Sequence, residues 1–279
     1  MIPFEFVYLR PDTLAEAVAA YREFEAAGKS ALYYAGGSEI ITMSRAGAIR
    51  PDAVIDVKNI PELNVLSIDR RGLTLGAALT LNQVKESRLF PLMTLAAGRI
   101  ADHTNQCRIT LGGNLCGTIV YREASLPLLL SDAFVTLYGP EGERTAPFER
   151  VFQGRMQLNP GELAVHVFVP SWALSARHAH LKKTAQEKID YPLVKVTALW
   201  KDGVLRAAFS GLAAQPLRSP EVESILNDRG ASAETRALGA ARLLSEFARG
   251  DAEGSKEYRL FVAKNTLQEL LEGWENGAL

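Results

Sequence analysis

Two pairs of adjacent glycines are the residues of this sequence best suited to bind an anion. The first pair, Gly36 and Gly37, lies in YYAGGSEI (33–40), between a strand-like and a helix-like segment. Glycine has no Cβ atom, so a ligand can approach its backbone closely and a positive φ costs little. A strand-to-helix turn also directs free backbone N–H groups outward, which suits phosphate and pyrophosphate. The hydroxyl of Ser38 adds one more donor.

The second pair, Gly112 and Gly113, lies in RITLGGNL (108–115), where Thr110 and Asn114 flank the turn. Two separated glycine turns in one domain are suited to hold opposite sides of one long ligand. Each pair alone is also compatible with a purely structural turn. The GxGxxG pattern of a Rossmann site and the P-loop pattern are both absent, so a nucleotide would have to be held in another way.

The composition argues against several other classes of site. The 279-residue chain has two cysteines, Cys107 and Cys116, which cannot supply the four ligands of an iron–sulfur cluster or a structural zinc site. His178 and His180 share one face of a predicted strand, but no third ligand is placed near them. We therefore predict a solvent-facing edge strand there, and no metal site. A formal net charge of −1 argues against nucleic acid as a partner.

The sequence also lacks signals for a membrane protein. No apolar run reaches the roughly 18 residues that a membrane-spanning helix needs. The N-terminus has neither the basic start nor the long apolar segment of a signal peptide. With two cysteines that we expect to be reduced, these features favour a cytoplasmic protein.

The predicted elements place the glycine turns in two lobes of one N-terminal unit. The first lobe has three strand-like segments separated by helices, which indicates a small, partly parallel sheet. These segments are FEFVYL (4–9), ALYYA (31–35) and AVIDV (53–57). The second lobe starts with a hairpin around the turn DRRG (69–72) and ends with the alternating strand LAVHVFVP (163–170).

The pattern changes after Pro170. Three consecutive antiparallel strands are predicted in HAHLKKTA, YPLVKVTALW and VLRAAFSGLA, and helices follow them near 221–227, 232–247 and 255–272. Strands followed by helices indicate a separate α+β domain. We therefore predict an α+β protein with one domain at 1–172, in lobes of about 1–58 and 59–172, and a second domain at 173–279.

Three segments together resemble the FAD-binding subunits of the xanthine dehydrogenase, or molybdenum hydroxylase, family. YYAGGSEI with RPDAVIDVKNIPEL (50–63) resembles the first flavin motif, and CRITLGGNL (107–115) resembles the second. KKTAQEKIDYPLVKVTALWKDG (182–203) resembles the C-terminal domain of these subunits. The resemblance covers nearly the whole chain in the right order. It implies a two-lobed FAD-binding domain of the vanillyl-alcohol-oxidase type, followed by a small α+β domain with an antiparallel sheet and then helices.

The resemblance also implies which residues bind FAD. The first loop would comprise Tyr33, Tyr34, Ala35, Gly36, Gly37, Ser38, Glu39 and Ile40. The second loop would comprise Thr110, Leu111, Gly112, Gly113 and Asn114. Glu123 stands where the family usually has an aspartate that faces the ribityl or ribose hydroxyls.

Further contacts come from single positions. A family lysine near the isoalloxazine falls on Lys183, or on Lys182 if the gap lies elsewhere. Ile100 would face the flavin, and Ala164 matches a backbone contact. Gln106 and Cys107 depart from the Arg and Asn of the second motif, and these departures bear on flavin affinity and redox tuning more than on the fold.

The implied function is that of an FAD-carrying electron-transfer subunit of an oxidoreductase. A molybdopterin-binding large subunit would oxidise the substrate, and a small subunit with [2Fe–2S] clusters would pass electrons to FAD. FAD would release them to an acceptor such as NAD or a quinone. This chain itself would need no catalytic side chain. Two alternatives stay open: a self-sufficient FAD-dependent reductase or oxidase, and a non-catalytic scaffold subunit that has lost FAD.

Overall fold

The computed structural model describes residues 2–277, which fold around three separate sheets. The first comprises β1 (Val7–Leu9), α1 (Leu14–Ala26), β2 (Ala31–Tyr34), α2 (Ser38–Arg45) and β3 (Ala53–Asp56). Its order is β1–β3–β2, and both pairings are parallel. Because β3 is the central strand of a parallel sheet, its residues are buried throughout. The sheet confirms the partly parallel first lobe.

Local signals set the helix starts of this lobe. Thr13 caps α1 through a capping box with Glu16, which satisfies backbone N–H groups at the helix start. Before α2, Gly37 adopts a left-handed conformation with φ of +69°. A residue with a side chain would be strained there, so the second glycine of the pair allows β2 to turn directly into α2.

The second sheet is antiparallel and has the order β4–β5–β8–β6–β7. After a 3₁₀ helix (Pro61–Asn64), its strands are β4 (Leu66–Ile68), β5 (Gly72–Gly76), β6 (Phe134–Gly139), β7 (Gly142–Pro147) and β8 (Leu163–Pro170). The hairpin predicted around DRRG is β4–β5. The helices are α3 (Leu81–Ser87), α4 (Pro91–Ala97), α5 (His103–Gln106), α6 (Leu111–Cys116), α7 (Ser125–Leu130) and α8 (Phe148–Val151).

The third sheet is antiparallel and follows α9 (Ser171–Leu174). It comprises β9 (His178–Thr184), β10 (Pro192–Lys201), β11 (Val204–Ser210) and β12 (Leu217–Arg218), in the order β12–β11–β10–β9. Three helices complete the chain: α10 (Pro220–Leu226), α11 (Ala233–Leu244) and α12 (Lys256–Glu275). The three predicted strands and three predicted helices are confirmed, whereas the boundary at residue 172 stays a prediction.

The third sheet is buried on both of its faces. Along β10, Ala198 packs in the core formed with the C-terminal helices. Its neighbour Leu199 packs in the core of the second lobe instead. Since successive side chains of a strand point to opposite faces, the sheet lies between these two cores.

This packing corrects one expectation. The histidine-bearing face of β9 was predicted to face solvent, but it lies against the second lobe, and the Nε2 atom of His180 is buried. Within the described residues, no group of three or more His, Cys, Asp or Glu side chains is arranged to hold a metal ion. Across residues 2–277, no helix combines the length and apolar character that crossing a membrane requires.

Candidate cofactor-binding site

Both glycine turns line a cavity of about 850 Å³. Its volume is near the upper end of the range for small-molecule and cofactor sites, about 300–1,000 Å³. Both lobes contribute to its wall, and so does the loop between β9 and β10. Most of the predicted site residues line it: Tyr33, Ala35, Gly36, Gly37, Ser38, Glu39, Ile40, Ile100, Thr110, Gly112, Gly113, Asn114, Glu123 and Ala164.

The two glycine turns are in direct backbone contact. A Cβ atom on Gly36 would overlap the carbonyl oxygen of Arg108 and lie 3.2 Å from the backbone nitrogen of Thr110. Glycine is therefore required at position 36 because one turn packs on the other. Close approach of a ligand is not needed to explain it.

The first turn offers an N-terminal helix end to the cavity. The first hydrogen bond of α2 runs from the N–H of Ile41 to the carbonyl of Gly37, at 2.9 Å. The N–H groups of Ser38, Glu39 and Ile40 precede that bond, and all three residues line the cavity. Because of these free amides and the positive end of the helix dipole, this turn is better suited to bind an anion than the second turn is.

The second turn uses its amides within the protein. The N–H of Leu111 donates to the carbonyl of Leu79 at 2.8 Å, and that of Gly112 donates to Ala77 at 2.8 Å. The N–H of Gly113 donates to the hydroxyl of Thr110 at 3.1 Å. The second turn therefore contributes an open backbone surface at Gly113, where an added Cβ would meet only the Thr110 hydroxyl.

Glu39 ties the first lobe to the loop that follows α6. Its carboxylate accepts hydrogen bonds from the backbone N–H of Thr118 at 2.5 Å and from the hydroxyl of Thr118 at 2.6 Å. The N–H of Ile119 also donates to it, at 3.3 Å. Because Thr118 and Ile119 line the cavity, Glu39 holds one part of the wall against another.

Glu123 is buried at the cavity wall and pairs with two lysines. Its Oε2 atom lies 2.8 Å from the Nζ of Lys195 and 3.2 Å from the Nζ of Lys182. Lys183, the first choice for a flavin contact, points to the opposite face of β9, where it pairs with Glu269 at 2.7 Å. Lys183 therefore points away from the second lobe, whereas Lys182 points toward it; a contact of either lysine with FAD stays a prediction.

Two other predicted residues lie outside the cavity wall. The ring of Tyr34 packs over Gly37, and the ammonium of Lys58 lies 4.5 Å from its centroid. The side chain of Leu111 is fully buried in the core of the second lobe. Alternation along β2 explains the first case, since Tyr33 takes the inward position and donates to the carbonyl of Gly161 at 2.8 Å.

Sequence reasoning missed three features, two in the wall and one behind it. Tyr121 and Tyr191 stack with their ring centroids 4.4 Å apart, which joins the second lobe to the loop before β10. Arg122 is buried with a positive φ of 30°, and it donates to the carbonyls of Gly117 and Gly154 at 2.8 and 2.9 Å. Lys195 is the third. Only Lys195 left a signal, because it interrupts an apolar run on a strand.

Comparison with known proteins decides the family. Residues 3–172 match the family described as the FAD binding domain in molybdopterin dehydrogenase. The chain belongs to this family. Residues 182–273 match the CO dehydrogenase flavoprotein C-terminal domain. The protein is thus an FAD-binding subunit of the molybdenum hydroxylase type and an oxidoreductase component, which confirms the resemblance stated above.

Individual relatives cover different shares of this FAD-binding subunit. The carbon monoxide dehydrogenase medium chain of Hydrogenophaga pseudoflava is 30% identical over 65% of this chain, and the match spans 64% of that relative's length. The glyceraldehyde dehydrogenase medium chain of Sulfolobus acidocaldarius is 26% identical over 95% of this chain and 96% of its own.

Solved structures share the fold of the FAD-binding subunit. Carbon monoxide dehydrogenase from Hydrogenophaga pseudoflava superposes with a TM-score of 0.83 and 26% identity, covering 96% of each chain. Quinoline 2-oxidoreductase from Pseudomonas putida 86 gives a TM-score of 0.84 at 23% identity, covering 99% of this chain and 98% of its own. These likenesses confirm the predicted two-lobed domain followed by an α+β domain.

The cavity fits the cofactor that the family implies. A dinucleotide needs a long site with an anion-binding centre, and the helix end at Ser38 lies on the wall of a cavity that both lobes form. The open backbone at Gly113 leaves room for a ligand to lie against it. The FAD-binding subunit therefore has residues that fit FAD: free amides at the start of α2 and a backbone surface at Gly113.

Replacing Glu39 by alanine should weaken FAD binding about tenfold, or ~1.4 kcal/mol. The change removes the acceptor that holds Thr118 and Ile119 against the first lobe, so the loop would have to be ordered on binding. Titration of FAD with the apoprotein, followed by flavin fluorescence, measures the effect. Glu62→Ala, at an exposed position of the 3₁₀ helix, is the control. Equal affinities for the two variants would contradict the assigned role of Glu39.

Proposed function

We propose that this chain carries FAD as the electron-transfer subunit of a molybdenum hydroxylase complex. The observation that carries the proposal is the cavity that both glycine turns line, with the first residues of α2 on its wall. FAD, when bound, would supply the redox chemistry, since no side chain of the wall needs to react. The chain's residues would bind and orient it, exclude water from it and set the charge around it.

The residues divide these tasks between them. The amides of Ser38, Glu39 and Ile40 would hold the pyrophosphate, and the Gly113 backbone would lie along the other side. Tyr121 and Tyr191 line the cavity, and their stacking joins the second lobe to the loop before β10. Glu123 lines the cavity, and its carboxylate is held by two buried lysines behind the wall.

The remaining chemistry would belong to partner chains. We expect a large subunit with molybdopterin and a small subunit with [2Fe–2S] clusters, which would deliver electrons one at a time. The names of relatives support a larger assembly, because they include medium chains and a subunit of a 6-hydroxypseudooxynicotine dehydrogenase complex. Their substrates differ, from carbon monoxide to caffeine, so this subunit would not select the substrate. NAD or a quinone would accept the electrons.

Purification of the full chain, alone and with the chains encoded beside it, tests the proposal. We expect a yellow protein whose flavin absorbance stays unchanged when candidate substrates are added to the chain alone. Addition of the partner subunits should then allow substrate to bleach the flavin. Substrate-dependent bleaching of the isolated chain would instead support a self-sufficient reductase or oxidase. A folded chain that never takes up FAD would support the scaffold alternative.

A further inference from the structure

A buried cluster of charges joins the cavity wall to the third sheet. Its members are Glu123 from the loop before α7, Lys182 from β9 and Lys195 from β10. The side chains of Lys182 and Lys195 are 1% and 0% exposed, and that of Glu123 is 4% exposed. The Nζ of Lys182 also donates to the carbonyl of Arg99 at 2.7 Å. The cluster is thus closed to solvent except where Glu123 meets the cavity.

The register of the sheet explains why these side chains meet. Lys195 lies opposite Lys182 in the antiparallel pair β9–β10, and Thr197 lies opposite His180. All four residues therefore lie on the face that packs on the second lobe. Lys183 takes the other face, next to α12.

The cluster carries more positive than negative charge. Two ammonium groups share one carboxylate, and the guanidinium of Arg99 adds positive potential. His180 stays neutral, because burial and then the cations around it lower its pKa to about 2. Buried charge without a counter-charge is costly. A negative charge that develops in the adjoining cavity would offset this excess.

The pKa of Lys195 lies close enough to neutral pH to affect the charge of the cluster. Burial lowers its pKa to about 8, and the carboxylate of Glu123 acts in the opposite direction. The groups that face it are Glu123 and Arg99 from the second lobe and Lys182 and His180 from β9. Lys195 is therefore charged at pH 7, and it loses its proton as the pH rises past 8.

We propose that Lys195 is a positioning residue that fixes Glu123 at the cavity wall and, by its charge, makes the bound FAD easier to reduce. The inference rests on the proposed function. Two electrons added to FAD with the uptake of fewer than two protons leave negative charge in the cavity, which the ammonium stabilises. Once Lys195 is deprotonated, reduction draws a proton from solvent back onto its amine.

The reduction potential of the FAD-loaded full chain tests this proposal. Reduction by dithionite with a reference dye, at pH 7 and at pH 9, gives the ratio of reduced to oxidised flavin. We expect Lys195→Met to lower that ratio about tenfold at fixed potential and pH 7, or ~30 mV for a two-electron couple. The unaltered protein should show an extra fall of the potential above pH 8 that Lys195→Met lacks. Lys183→Met, at a partly exposed position on the opposite face of the same sheet, should behave as the unaltered protein does.

The outcomes separate the two proposals. Flavin absorbance is measured first, and a chain that binds no FAD contradicts the proposed function and this inference with it. Bound FAD whose potential and pH dependence are unchanged in Lys195→Met contradicts only the role of Lys195. If Lys195→Met does not fold, Lys195→Gln replaces it, and the pH series on the unaltered protein decides: a potential without the extra fall above pH 8 overturns the proposal.

Discussion

Replacing Gly36 by alanine should lower the affinity for FAD about a hundredfold, or ~2.8 kcal/mol. The new Cβ would overlap the backbone carbonyl of Arg108, and backbone cannot move aside as the end of a side chain can. The two turns would separate, and the α2 amides would shift away from the Gly113 surface. The FAD content of the purified protein and fluorescence titration of the apoprotein measure the loss.

Two other glycines make this experiment specific. Gly230→Ala is the control for a glycine-to-alanine change as such, because a Cβ there would meet only the carboxylate of Asp228, at 3.2 Å. Gly113→Ala should disturb the fold less than Gly36→Ala does, since its Cβ would meet a side-chain hydroxyl, that of Thr110 at 2.9 Å, and no backbone atom, and yet it should reduce FAD binding where the ligand lies on that surface. Full FAD retention in Gly36→Ala would show that contact between the turns does not shape the site.

Replacing Glu123 by alanine should lower the free energy of unfolding by about 3–5 kcal/mol. The change leaves Lys182 and Lys195 buried without their shared carboxylate, while the surrounding core gives them no other acid within an ion-pair distance among the described residues. Denaturant unfolding of the apoprotein measures it. Apoprotein is used because FAD binding would add its own stabilisation to the folded state.

A comparison with an exposed ion pair shows how much of this loss is due to burial of the charges. Glu269→Ala removes the partner of Lys183 at the exposed end of the same sheet, so it should cost about 1 kcal/mol or less. Lys195→Met in the Glu123→Ala background should recover part of the loss, since it removes one unpaired charge. A loss in Glu123→Ala no larger than that in Glu269→Ala would mean that water reaches the lysines.

The sequence predicts those parts of the fold that local chemistry controls. The DRRG hairpin and the alternation of residues 163–170 each depend on neighbours in the chain, and the structure confirms them. The sequence predicts only part of the role of the glycine pairs. A glycine pattern shows that backbone must come close to something, but not that the first turn packs on the second.

The rest of the site depends on contacts between distant segments. Tyr121 and Tyr191 stack across 70 positions of sequence, and no local pattern indicates such a pair. Lys195 is different, because a single lysine in the buried run PLVKVTALW must find an acid or a carbonyl. Alternate side chains of β9 point to opposite faces of the sheet. Which of Lys182 and Lys183 points to the second lobe therefore depends on how the sheet packs, and the local sequence does not show this.

The two-sided burial of the third sheet bears on how such chains can be cut or recombined. A fragment that stopped near residue 172 would lose the strand whose Leu199 completes the second-lobe core, and it would leave Glu123 without both cations. A chimaera with the C-terminal half of a relative would need a lysine at the position of Lys195 and an acid at the position of Glu123. We therefore expect that residues 3–172, which match the FAD-binding family, do not form an independently folding module.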